Sequence, residues 1–128
     1  MPRGPEGVEM PPDHMEVIRE SVTVEHLAGL AESGFGSLVK AVVDIGEGIM
    51  AIGGEMHADE EAVLLGLGSS HTDLWGINLY PSHYGQSDWI EFDSMINIRP
   101  RRGNRSRGVE DPTVREKIVS VVARLVRS

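Results

Sequence analysis

The chain has no cysteine. That removes disulfides, thiolate metal sites and cysteine nucleophiles, and with them the usual marks of a secreted domain. It also has no long uncharged apolar run, so no membrane helix is expected. Its opening residues, MPRGPEGVEMPPD, lack the apolar core of a signal peptide, and the cytoplasm is the expected location. Basic residues are outnumbered, 12 against 20 acids, for a formal net charge of -8. A field of that sign repels phosphate backbones and argues against a general nucleic-acid binder. No helix-turn-helix, zinc-finger or RNP-like pattern is present. There is no GxSxG, no GxxxxGK[ST] and no HExxH. What is present suits one ordinary soluble domain: 128 residues, 40% hydrophobic and 25% charged.

Residues 1–14 contain four of the seven prolines and two glycines, a composition expected of a disordered tail. Met10 and Met15 each offer a later translation start. A single domain is expected over 15–128. MEVIRESV reads as a short strand. Thr23 is placed to cap a helix through TVEHLAGLAESG, with Val24, Leu27, Leu30 and Ala31 at helical spacing and Gly34 at its end. LVKAVVD (38–44) and IMAIGGE (49–55) flank the turn IGEG and read as a hairpin. Asp59 reads as the cap of a short helix, DEEAVLLG. LWGINLY (74–80) and DWIEFDSMINIR (88–99) read as two further strands. Asp111 and Pro112 open a last helix whose apolar stripe is Val114, Ile118, Val121, Val122 and Leu125. The order β-α-β-β-α-β-β-α predicts an α+β two-layer sandwich, with about five mostly antiparallel strands and three helices.

Several of these phrases belong together: LVKAVVD, IMAIGGEMHADEE, LWGINLYP and DWIEFDSMINIRPRRGNRSRGVEDP. Over about residues 15–127 the chain resembles a family of short bacterial proteins catalogued only as a domain of unknown function. The resemblance implies a small bacterial cytoplasmic protein and carries no activity. The proline-rich start departs from the family pattern.

The most conspicuous charge feature is the segment 99–107, which carries five arginines (Arg99, Arg101, Arg102, Arg105, Arg107) and no acid. From a total of -8 this leaves -13 on the remainder. Arginine recognises carboxylate and phosphate bidentately; Gly103, Asn104 and Gly108 let the backbone turn, and the last helix offers free amides beyond. The competing account is a structural loop whose arginines pair with Glu91, Asp93, Glu110 and Asp111. Strand alternation places Asn78 and Tyr80 on one surface with Trp89, Glu91, Asp93, Asn97 and Arg99. Such a platform suits a small ligand, although an antiparallel sheet facing solvent is polar without further cause. Glu55, His57 and Asp59 would point one way in an extended chain and offer metal-type ligands. A strand-to-helix turn accounts for the same residues, and no metal or other cofactor is assigned.

These readings converge on a domain that binds a small anionic ligand. The acid group would meet Arg99, Arg101, Arg105 and Arg107, near Asn104. The neutral part would lie on Trp89 and Tyr80, oriented by Asn78, Asn97, Glu91 and Asp93. For chemistry, His57 or Glu91 is the candidate general base. The rival is a non-enzymatic interaction module in which the basic island docks an acidic partner or a second copy of the chain.

Overall fold

A computed structural model describes residues 15–128; the expected tail, 1–14, lies outside the described residues. Strand β1 (Glu16–Ile18) and the two-residue β2 (Val22–Thr23) lead into helix α1 (Val24–Ser33). As its sequence predicts, Thr23 caps α1, its hydroxyl accepting the His26 amide at 3.1 Å. The hairpin follows as β3 (Val39–Asp44) and β4 (Ile49–Ile52), then α2 (His57–Gly66), β5 (Leu74–Leu79), β6 (Ile90–Glu91), α3 (Pro112–Leu125) and β7 (Val126–Arg127). Five strands form an antiparallel sheet in the order β1-β4-β3-β5-β6, while β2 and β7 make a small parallel pair. The architecture is the α+β sandwich expected, with three helices.

Strand alternation divides the core in two. On the first face, Ala41, Val43, Met50, Ile52, Trp75, Ile77 and Leu79 pack under α1 and α3. Helix α3 presents Ile118, Val121, Val122 and Leu125 to this core and is capped by Asp111, whose carboxylate accepts the Thr113 amide at 2.8 Å. Each such aliphatic side chain removed from water stabilises the fold by about 1.5–3 kcal/mol. On the second face Val42, Ile49, Ala51 and Leu74 pack against Leu64 of α2. The sheet is therefore covered on both sides, and every residue of β5 is buried. The open polar platform expected from the alternation does not form.

Three local expectations are corrected. Helix α2 starts at His57, with Met56 rather than Asp59 as its N-cap and no side-chain cap bond. Burial of His57, Glu60 and Leu64 along its inner stripe overrides the capping preference of Asp59. Strand β4 stops at Ile52 because Gly54 must approach α2 closely: a Cβ there would come within 2.9 Å of the Glu60 side chain. The strand expected over 88–99 is reduced to Ile90–Glu91, and a 3-10 turn runs over Met95–Asn97. The cause lies in β5. Gly76 admits Ser94 so closely that an added Cβ would sit 2.5 Å from it. The Asn97 side chain then takes the place of a strand, accepting the Gly76 amide at 2.8 Å and donating to its carbonyl at 2.9 Å. Ser94 is buried and bonds backbone, accepting the Ile96 amide at 3.3 Å.

Candidate functional site

The arginine segment folds into a loop that consumes much of its own polarity. Arg99 is buried. Its Nε donates to the Ile96 carbonyl at 3.2 Å, its guanidinium donates to the Leu74 carbonyl and lies 4.7 Å over the Trp75 ring, and the Glu61 carboxylate is 3.8 Å away. Burial lowers its pKa, and Glu61 opposes that. Asn97 is fully buried and also donates to the Arg107 carbonyl at 3.0 Å. Asn104 staples the loop: Nδ2 donates to Asn97 and Gly108 carbonyls at 2.7 and 2.8 Å, and Oδ1 accepts the Glu110 amide at 2.8 Å. Arg107 pairs with Asp93 at 2.7 Å. The loop amides of Arg105 and Ser106 both donate to the Glu110 carboxylate, at 2.7 and 2.8 Å, which holds its pKa below the ordinary glutamate value. An anion is thus already bound there, and it is the protein's own. Arg101, Arg102 and Arg105 are exposed, with no ion pair among the described residues.

The other expected site residues gather elsewhere. Lys40, Asn78 and Glu91 are neighbours across β3, β5 and β6, on the face that α2 covers. Asn78 Nδ2 donates to Glu91 Oε1 at 2.8 Å, and the Tyr80 hydroxyl donates to the same oxygen at 3.0 Å. Burial, then the Glu91 hydrogen bond, raises the Tyr80 pKa, so Tyr80 stays a donor. Asn78 Oδ1 is buried without a partner. Trp89 is not part of this row: it packs against the first-face core and stands edge-on to Tyr84 at 5.0 Å.

His57 turns inward at the start of α2, and its Nε2 meets the Ile77 carbonyl at 2.8 Å. A carbonyl only accepts, so Nε2 carries the proton and Nδ1 the lone pair. Burial lowers the pKa of His57, with Lys40 acting in the same sense, and the ring is neutral at physiological pH. One turn on, Glu60 is fully buried; Oε2 accepts the Gly54 amide at 2.9 Å and Oε1 has no partner. Burial pushes its pKa well above the ordinary glutamate value, which favours the neutral acid. The three candidate metal ligands are not brought together. Helical rotation from His57 onward separates it from Asp59, Glu55 is exposed, and among the described residues no three His, Asp or Glu side chains are grouped to hold an ion.

Beside this cluster lies a groove of about 600 Å³, between the C-terminal end of α1, the start of β3 and the turn Gly53–Met56. Leu30, Phe35, Leu38 and Met56 give it an apolar wall, and the exposed Glu55 lines it too. Phe35 and Met56 are 50% and 57% exposed, unusual for large apolar side chains on one rim. Its cation is Lys40, whose ammonium lies 4.8 Å over the Phe35 ring and has no carboxylate within ion-pair distance among the described residues. Sequence reasoning missed Lys40, Phe35, Met56 and Glu60. One signal was available: Lys40 is the lone charge in LVKAVVD ahead of its final aspartate. Glu60 gave none, since an acid in a helix's first turn has a sufficient reason to be there.

Among the described residues no helix is long and apolar enough to cross a membrane. No curated protein and no solved structure matches the chain. The family model described as "Protein of unknown function (DUF5674)" matches residues 16–125, which takes in every element from β1 to α3, and the chain belongs to that family.

Proposed function

We propose that the protein binds a small organic acid with an apolar body in the groove beside Lys40. The ligand class is the small anion expected from sequence; the cation that receives it is Lys40 instead of the arginine loop. The observation that carries the reading is an ammonium without a carboxylate partner, set in an apolar groove large enough for a small molecule. In such a site the wall takes the ligand's body and Lys40 fixes its acid group, against the repulsion of Glu55 on the same lining. The reading is one of binding: neither His57 nor Glu91 lines the groove, and the Glu91 carboxylate is held by Asn78 and Tyr80.

The test is thermal unfolding with hexanoate, hexylamine and hexanol at fixed ionic strength. Hexanoate is expected to raise the midpoint by mass action, hexylamine is not, and Lys40→Gln abolishes the hexanoate response while its own midpoint stays near that of the wild type. Equal responses to all three probes would leave only nonspecific apolar contact and sink the proposal. A second reading, docking of an acidic partner, is favoured by the exposed Arg101, Arg102 and Arg105 on an acidic molecule. It predicts a salt-sensitive complex that Arg101→Ala together with Arg105→Ala weakens.

A further inference from the structure

At the opposite end of β3 from Lys40 a second, smaller cleft of about 220 Å³ opens between the arginine loop and the start of α3. Its wall chemistry differs from that of the groove. Trp75 forms part of it, is only 7% exposed, and has an indole N–H that is buried without an acceptor. A buried donor left unsatisfied is costly, and a ligand acceptor would recover that cost. Arg102 stands on the same wall with no carboxylate in ion-pair range among the described residues. Opposite charge comes from Glu110 and Asp111. Each commits one oxygen to backbone amides, Glu110 Oε2 to Arg105 and Ser106 and Asp111 Oδ1 to Thr113. Each retains a second oxygen. Ile45 and Val114 complete the lining with apolar surface.

A plain anion is badly served here, since two carboxylates face it; a plain cation meets Arg102. A molecule carrying both charges a few bonds apart satisfies every wall. The geometry points to a site for a small zwitterion of the free α-amino acid kind. Its carboxylate would be taken by Arg102 and the indole N–H of Trp75, its ammonium by Glu110 and Asp111, and its side chain by Ile45 and Val114. The site is independent of the Lys40 groove, because the two cleft linings share no residue.

The indole N–H is also the reporter. The chain has two tryptophans, and Trp89→Phe leaves Trp75 as the single indole signal in a nitrogen–proton correlation spectrum. In that background, L-alanine and L-leucine are titrated beside propionate and ethylamine, which are alanine without its ammonium and without its carboxylate. The expected result is a saturable shift of the Trp75 indole signal with the amino acids, and at least tenfold weaker binding of the two single-charge probes. Arg102→Gln should weaken the amino-acid titration about tenfold, equivalent to about 1.4 kcal/mol. Asp111→Ser should also weaken it, and because serine caps a helix as well as aspartate does, far-ultraviolet dichroism should show α3 intact. Lys40→Gln should leave the titration unchanged. The inference is overturned if neither amino acid moves the indole signal, if propionate binds as well as alanine, or if Lys40→Gln abolishes the shift as Arg102→Gln should.

Discussion

The two ends of the molecule treat their charge in opposite ways. The arginine loop is the most conspicuous feature of the sequence, yet Arg99 is packed on Trp75, Arg107 is paired with Asp93, and the loop amides are filled by Glu110, which leaves only the exposed Arg101, Arg102 and Arg105 without an ion pair among the described residues. At the other end a single lysine inside an ordinary strand sits in a groove of about 600 Å³, with no carboxylate in ion-pair range among the described residues. Charge density along a chain does not measure charge available to a ligand. What decides is whether the folded chain supplies a partner of its own, and a dense cluster makes such a partner the more necessary, since like charges repel at close range.

The comparison can be broken most directly at Asn97. If the loop serves the fold, Asn97→Ala orphans the Gly76 amide and carbonyl and removes one of the two bonds to the Arg107 carbonyl, and should cost about 3 kcal/mol or more in urea unfolding. Lys40→Ala should cost under about 1 kcal/mol by the same measurement. Comparable losses from the two variants would erase the distinction.

A second test uses pH. Glu60 is raised above its ordinary value of 4.5 by burial. Above that value the unfolded chain releases the proton while the folded chain keeps it, so this group's stabilisation is fully present below 4.5 and is lost as pH climbs through the folded value. Glu60→Gln cannot ionise. Its stability relative to wild type should therefore grow with pH, by up to about 1.4 kcal/mol per pH unit. Urea unfolding of both proteins at about pH 5 and about pH 9 measures this; an unchanged difference would mean that Glu60 ionises freely in the fold. His57 has the opposite sign. Burial sets it below 6.5, so acidification below that value protonates the unfolded chain first and lowers stability. The effect is common to both proteins and cancels in their difference.

The smallest effect belongs to the exposed pair. Arg107→Ala should cost less than about 1 kcal/mol and become indistinguishable from wild type in high salt. A larger, salt-insensitive loss would show that the loop depends on Arg107 as it does on Asn97.

Much of the fold was legible because it obeys local rules. The Thr23 and Asp111 caps, the helical phase of α1 and α3, and the β3–β4 hairpin each follow from residues within a few positions of one another. Even the alternation in β5 was read in its correct phase. What the sequence could not disclose is that both faces of β5 would be covered. It could not show that the 88–99 segment would trade backbone pairing for the Asn97 amide, reaching Gly76 from 21 residues away, or that Arg99 would bond Leu74 across 25. His57 and Glu60 belong to the same class. On a helix surface they are ordinary polar residues, and only the placement of α2 on the second face turns them inward. Local sequence determined the elements and their phase, because caps and periodicity act over a single turn. The tertiary structure decided which charges are free, because a partner's distance in space has no counterpart in its distance along the chain.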